Sequence, residues 1–539
     1  MKTLRSHRPL IMGQRGAVAT NHPMATQSAL DVLRQGGNAF DAAVAASLTL
    51  GVVEPHMSGL GGDGFYHAFD ASLGHGLVYA GAGTSPAVYQ HADFKVDGMP
   101  LRGPRSVSIP GSLAALYRMH EKHGSLPWSR VCSPAIEAAE AGFAVTHAFQ
   151  RFARNNLEKL QGDRVAAATF LHEGSVPQVG FWVVQPALAR TLARIAAHGA
   201  DDFYRGEIAN QLVRDMQARG VPMTRHDLSA VEADEQVPLM VSYRGFSVAQ
   251  TPPCSMGFTM LQELLVLEHF DLGKYERLSP EVLHLMVEAK KLAFADRERY
   301  ACDPRTGHIP LEKLMSSEYG AELAARICVE KALQADLPAE RPSGGGDTTY
   351  FCVVDEQGNA VSAIQSLNNA FGSGVVLSET GVTLNNRMTC WHLHPEHPNC
   401  FAPGKRVRHT MNAPMVLKDG KVWALFGTPG ADDQVQVNLQ MAVGLIDFDQ
   451  DPQSLVESAR WSSDQIGQEA NWPHGGQNVL TVESSLTSGS VQGLRALGHV
   501  VREVNPLEGP CSVAMIRALD GGGWAAGSDP RRDGWAAAY

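Results

Sequence analysis

Residues 344–350 read GGGDTTY, a flexible run that meets a hydroxyl residue at the first position of a strong strand. Upstream, the segment QADLPAERPSGGGD after Leu333 loses apolar periodicity and collects Pro, Ser, Gly and charge, the composition of an exposed linker. Downstream, TTYFCVVD and AVSAIQSL are strand-like and flank the turn EQGN, which predicts a β-hairpin starting at Thr348. This junction is the best boundary in the chain.

On the N-terminal side helices prevail. In TQSALDVLRQGGNAFDAAVAASLTLGVV, Ala29, Leu30 and Leu33 form one stripe, Gly36 and Gly37 break it, and Asp41 opens a second, alanine-rich helix suited to close packing against a sheet. Helical patterns dominate from about Pro110 to Glu235. A further helix is expected over Ser279–Tyr300, with Ser279 as N-cap, Pro280 at the first helical position and Val282, Met286, Ala289 and Ala293 on one face. Asp419-Gly420 marks a second hairpin in APMVLKDGKVWALFG. Taken alone, these patterns support a mixed helix-and-sheet chain with a break near residue 347.

At 539 residues with 44% hydrophobic content, the chain can bury one large core or two intimately packed parts. A formal charge of -11, with no cluster of Lys and Arg interleaved with aromatics, argues against a nucleic-acid partner and favours a small-molecule role. No run reaches transmembrane length, and PLIMG near the start falls short of a signal-peptide core, so a cytoplasmic protein without a membrane partner is expected. The eight cysteines mostly stand alone, as reduced core residues do.

Three motifs carry weaker chemistry. GLGGDG, Gly59 to Gly64, matches a dinucleotide fingerprint on paper, but a helix precedes it and a strand follows, the reverse of the required order, so a tight turn is expected. CWHLHPEHPNC gathers Cys390, His392, His394, His397 and Cys400, ligand types for zinc, yet its spacing fits no zinc class and a polar surface loop is expected. Ser58 lacks the G-x-S-x-G setting of an esterase nucleophile and is taken as a loop residue. No cofactor and no metal are expected.

Thr348 is different. A threonine inside a chain is a poor nucleophile, whereas one at a chain's own N-terminus carries its α-amine beside the hydroxyl, and that amine titrates at roughly pH 8. It can serve as base while Oγ attacks a carbonyl. Creating such a terminus requires cutting the Asp347-Thr348 bond. Gly344 to Gly346 permit strained backbone, and Thr348 can attack the preceding carbonyl in an N-to-O acyl shift.

The order of several motifs resembles the γ-glutamyltransferase family of N-terminal-nucleophile hydrolases along nearly the whole chain. GAVATNHPMATQSALDVLRQGGNAFDAAVAASLTLGVVEPHMSGLGGDGF is similar to that family's opening, and LHLMVEAKKLAFADRERYACDPR to its helix before the linker. DTTYFCVVDEQGNAVSAIQSLNNAFGSGVVLSETGVTLNNRM resembles its cleavage site and first small-subunit strands, and GSDPRRDGWAAAY its ending. The resemblance implies an α+β fold, a four-layer αββα sandwich formed jointly by a large subunit, 1–347, and a small subunit, 348–539; a dimer of that heterodimer is compatible with the sequence, which does not set the oligomeric state. It makes Thr348 the nucleophile, Ser366 its hydroxyl support in place of the usual threonine, and Asn368 a substrate contact. It also makes Gly430 and Ala431, in GTPGADD, the backbone donors to the oxyanion.

Other family positions depart. The arginine that holds the substrate α-carboxylate falls on Ala82, the acidic residues that hold its amine fall on Arg387 and Cys390, and the serine pair becomes His409 and Thr410. Facing Arg387, an ammonium meets repulsion, whereas a carboxylate finds a bidentate partner. The expected activity is therefore hydrolysis of a small anionic amide such as oxamate, or of a dicarboxylic acyl amide of the cephalosporin type. True γ-glutamyl transfer and an unprocessed, non-catalytic binding role are the alternatives, and a surface position for Arg387 competes with a substrate role.

Overall fold

The computed structural model describes residues 6–221, 223–333 and 347–539. Two antiparallel seven-stranded sheets stack face to face. The first runs in the order Trp535–Ala538, Ala17–Thr20, Asp347–Val354, Ala360–Asn368, Asp63–Asp70, His75–Gly81, Asp234–Gln236. The second runs Ile11–Gly13, Trp524–Ser528, Ala514–Ala518, Lys421–Gly427, Met415–Lys418, Phe246–Gln250, Leu239–Tyr243.

The alternation of side chains along a strand assigns the layers. In the strand Asp347–Val354, Tyr350, Cys352 and Val354 point into the core shared by both sheets, with Phe65, Ile364, Met415, Leu425 and Ile516. Phe351 and Val353 point the other way, into a core capped by helices. Those helices include Pro23–Arg34 and Ala39–Val53; the second is buried along nearly all its length and packs its small residues on the central strands. Gly257–Leu267, Pro280–Tyr300 and Asp433–Ile446 cover the outer face of the second sheet. The result is the four-layer αββα sandwich.

Both predicted hairpins form, with Asp419 and Gly420 at the second turn in positive φ. The helix Pro280–Tyr300 begins as its sequence requires, with Ser279 Oγ accepting from the Val282 N–H. One start is corrected: Asn38, rather than Asp41, caps the alanine-rich helix. The Asn38 side chain accepts from the Asp41 N–H, and the Asp41 carboxylate returns a 3.0 Å bond to the Asn38 N–H. The Gly344–Gly346 run and the linker after Leu333 lie outside the described residues.

GLGGDG is a turn between a helix and the strand Asp63–Asp70, as its flanks imply. Its glycines are needed for close approach: a Cβ on Gly61 would lie 2.2 Å from the Thr383 carbonyl, and one on Gly62 2.3 Å from that of Ser366. This turn presses directly against the strand that faces Thr348. Among the described residues, no helix is long and apolar enough to cross a membrane.

Candidate active site

Thr348 is buried at the start of its strand, in the uncut chain. Its Oγ donates to Ser366 Oγ at 3.1 Å; Ser366 Oγ donates in turn to the Asp347 carbonyl at 2.7 Å and accepts from the Asn368 N–H at 2.7 Å. The register between the two strands shifts here, since Asp347 pairs with Asn368 and Thr349 with Gln365. That irregularity swings Ser366 onto the bond before Thr348. Serine thus supplies every hydrogen bond the hydroxyl position needs, without the methyl group of threonine.

Thr349 fixes the strand from the other side. Its Oγ1 donates to Glu54 Oε2 at 2.7 Å, and Asn21 Nδ2 donates to both Thr349 Oγ1 and the Tyr350 carbonyl at 3.3 Å. Burial raises the Glu54 carboxyl to about 7, against the lowering effect of the Thr349 hydrogen bond and of Arg532. Asn21 Oδ1 accepts from Ser512 Oγ, and the Ser512 N–H donates to Thr428 Oγ1, tying the strand of Thr348 to the turn that carries Gly430 and Ala431.

Gly430 has φ 120° and Ala431 φ 48°, both in the left-handed half of backbone space. Only glycine suits the first position, where a Cβ would lie 2.4 Å from Cys511 Sγ. The carbonyls of both residues accept from Asp433 and Gln434 at the entrance to the helix Asp433–Ile446. Their own N–H groups donate to no group among the described residues and border a cavity of about 320 Å³. Free, adjacent backbone donors at a turn are what an oxyanion requires.

The remaining candidates form one buried polar cluster. Arg387 is 1% exposed; its Nη1 donates to Asn368 Oδ1 at 2.9 Å and its Nε to Asp63 Oδ2 at 3.3 Å. Its Nη2 has no partner among the described residues. His409 is fully buried, both ring nitrogens lack hydrogen-bond partners there, and Nε2 stands 3.9 Å from Asp63. Burial, with help from Arg387 and Arg406, holds the His409 pKa well below its usual value, so the ring is neutral at pH 7. Burial raises the Asp63 carboxyl, opposed first by Arg387. Cys390 Sγ lies 3.5 Å from Asn368 Oδ1, and Thr410 is buried beside His409.

The solvent-facing alternative for Arg387 is thereby overturned. So is the expectation of a surface loop for the whole of CWHLHPEHPNC: Cys390, Trp391 and His392 are buried, and only His394 to Glu396 are exposed. Within it His392 and His397 approach Glu298, a ligand-type triad, but Arg408 donates to Glu298 at 3.0 Å and stands 3.2 Å from His392 Nε2. The arginine charge already compensates the Glu298 carboxylate and opposes a second cation beside it. Ser58 is a buried partner of Gln365 Nε2 at 2.9 Å. Ala82 is buried at the end of the strand His75–Gly81, without a charge to offer.

Sequence reasoning missed Asp63, Asn471, Glu54 and Arg532. Asn471 Oδ1 accepts from Asn368 Nδ2 at 3.1 Å and Thr389 Oγ1 at 2.8 Å, and no local pattern marks it. Asp63 and Arg532 do stand inside quoted motifs, GLGGDG and GSDPRRDG, and only their three-dimensional neighbours give them a role.

The family model described as gamma-glutamyltranspeptidase matches residues 25–539. The chain belongs to that family. The gamma-glutamyltranspeptidase family groups N-terminal-nucleophile hydrolases with amidohydrolase and acylase members, and this chain is an enzyme of that kind. It is 37% identical to the glutathione hydrolase-like YwrD proenzyme of Bacillus subtilis, over 97% of this chain and 98% of that one. It is 33% identical to the oxamate amidohydrolase proenzyme of Klebsiella pneumoniae, again over 97% and 98%. Its fold is similar to the crystal structure of cephalosporin acylase from Bacillus halodurans, with TM-score 0.90, 31% identity and 99% and 98% of the two chains covered. Within the gamma-glutamyltranspeptidase family these relatives bear three different substrate names.

Proposed function

We propose that this protein is an autoprocessed N-terminal-threonine amidohydrolase that cleaves small amides bearing a carboxylate, with oxamate, giving oxalate and ammonia, as the type substrate. The observation that carries the reading is the unpartnered Nη2 of buried Arg387, two hydrogen bonds from the Ser366 hydroxyl that touches Thr348. A buried guanidinium edge without a partner is costly, and a substrate carboxylate satisfies it with a charge-assisted bond. Neutral His409 adds a donor without a second charge. Asp63, the only carboxylate hydrogen-bonded to Arg387 among the described residues, is engaged by it and by the Gly83 N–H, so it offers little to a substrate ammonium.

In the uncut chain Thr348 Oγ attacks the Asp347 carbonyl carbon, the carbon–nitrogen bond breaks, and water hydrolyses the resulting ester. The products are a large part ending at Asp347 and a small part beginning at Thr348. In turnover Thr348 Oγ attacks the amide carbon while its α-amine accepts the hydroxyl proton. The Gly430 and Ala431 N–H groups receive the oxyanion; ammonia leaves with the proton, and water releases the acid. The name of the Klebsiella relative supports oxamate, and that of the Bacillus halodurans structure supports an acylase acting on a larger amide.

The test combines intact mass spectrometry with ammonia release from carboxylate-bearing and neutral amides. Two fragments, the smaller beginning Thr-Thr-Tyr, and preferential turnover of the anionic amides are expected. A fully active single chain, or preference for a γ-glutamyl anilide with a dipeptide acceptor, would overturn the proposal.

A further inference from the structure

Asp347 contributes more than the bond that breaks. Its side chain turns into a buried, cation-lined pocket: burial raises its carboxyl, opposed first by Arg532, whose Nη2 lies 3.3 Å from Oδ1, and the Ala370 backbone N–H donates to the carboxylate. Lys159, on the helix Leu157–Gln161, also acts on it, with Nζ donating to the Ala370 carbonyl at 2.8 Å and the Gly372 carbonyl at 3.3 Å in the loop after the facing strand. Arg151 adds a third cation at the rim. Arg532 is anchored independently, stacked over Phe152 at 5.0 Å and against Met57 Sδ, with Nη1 3.5 Å from the Thr348 carbonyl. The facing anions are Asp533, held by Thr146 Oγ1 at 2.5 Å, and Glu54, whose burial favours its neutral form.

We propose that this pocket, formed by Arg532, Lys159, Arg151 and the Ala370 N–H, is a second anion subsite, self-occupied by Asp347 in the uncut chain and open to a ligand carboxylate after cleavage. The inference rests on Thr348 being the nucleophile and is independent of Arg387. The ester formed in self-cleavage joins Thr348 Oγ to an aspartyl group, whose carboxylate stands three bonds from the ester carbon. The same ester formed from a substrate carries an acyl group in place of that aspartyl. The pocket therefore selects acyl groups with a carboxylate at that spacing, the monoamides of four-carbon dicarboxylic acids. Oxamate, with its carboxylate bonded directly to the amide carbon, is too short to use it.

Calorimetry with succinate and its neutral isostere succinamide tests this without reliance on turnover. The cleaved enzyme is expected to bind succinate at least about tenfold more tightly than succinamide, the scale of one charge-assisted contact. In the Arg387→Gln background the uncut Thr348→Ala chain, with Asp347 in place, is expected to show no such preference, and adding Asp347→Ala, which vacates only the carboxylate, is expected to let the pocket bind formate. In the cleaved Arg387→Gln enzyme, where the first carboxylate site is removed, the preference should persist, and adding Lys159→Met or Arg532→Gln should then remove it; if Arg532→Gln stops maturation, Lys159→Met carries the test. Equal binding of the two probes by the cleaved enzyme would overturn the subsite, as would a preference that Arg387→Gln abolishes and Lys159→Met leaves intact. Failure of the Thr348 reading would show separately, as an uncut but active wild-type chain.

Discussion

Ser366 Oγ lies 2.7 Å from the Asp347 carbonyl oxygen and donates to it, so the side chain that touches Thr348 also polarises the carbonyl that Thr348 attacks in the proposed self-cleavage. Ser366→Ala removes both contacts and leaves the Asn368 N–H without its acceptor. Self-cleavage is expected to slow by about 100-fold, the usual effect of losing one oxyanion donor. Ser366→Thr should retain most of the rate. A denaturing-gel time course of the precursor measures both.

Arg387→Gln should lower kcat/KM for oxamate by about 100-fold while changing turnover of neutral amides by much less, because only the anion loses a charged partner. Arg387→Lys keeps the charge but loses the planar fork, and is expected to recover only part of the activity. Equal losses on both substrate types would mean that Arg387 acts by holding Asp63 and the local fold.

The oxyanion turn distinguishes its two members. Ala431→Gly keeps the N–H and relieves a left-handed alanine, so activity should hold and stability rise by about 0.5–1 kcal/mol. Gly430→Ala forces a Cβ to within 2.4 Å of Cys511 Sγ and should cost both folding and turnover. Thermal midpoints and kcat of the two variants check the contrast.

Glu54 gives the uncut chain a pH-dependent stability. Its carboxyl rises from the ordinary 4.5 to about 7 in the fold, with burial as the main cause. Between these values the folded chain holds a proton that the unfolded chain has released, so this contribution is present below pH 4.5 and is lost as pH rises through about 7. The difference is on the order of 3 kcal/mol. Thermal midpoints of Thr348→Ala from pH 5 to 8 should fall, and adding Glu54→Gln, which keeps an acceptor for Thr349, should flatten that fall.

Chelation should leave the protein unchanged, because both clusters of ligand-type residues among the described residues are already internally paired: in His284, Glu288 and His499, Lys291 donates to Glu288 at 2.7 Å and the two imidazoles are hydrogen-bonded at 2.8 Å. Arg408 already neutralises Glu298 and faces His392, so dialysis against EDTA is expected to alter neither thermal midpoint nor ammonia release.

Much of this architecture was legible in the chain because it is written locally. Ser279-Pro280, the Asp419-Gly420 turn and the start of the hairpin near Thr348 each depend on neighbours a few residues away. The site was legible in part: Thr348, Ser366 and Asn368 lie on one hairpin, and a motif resemblance placed Arg387, His409, Gly430 and Ala431. The contacts that define their chemistry join distant segments. Asp63 meets Arg387, Glu54 meets Thr349, and Arg532 meets Asp347, pairings that no local spacing encodes. The surface reading of residues 390–400 failed for the same reason, since Trp391 is buried by Phe401 and the packing of Tyr89, Phe94 and Met99 around it.

The strand order carries a last consequence. In the first sheet the strand beginning at Asp347 lies between Ala17–Thr20 and Ala360–Asn368, and both sheets weave together segments from either side of residue 347. Opening that one peptide bond yields two chains that remain threaded through each other's hydrogen-bond ladders. Dilution alone cannot part them, since separation demands unravelling both sheets at once. On the proposed scission, folding comes first and cutting second, and a cut molecule that is denatured would face a bimolecular search its precursor never had to make.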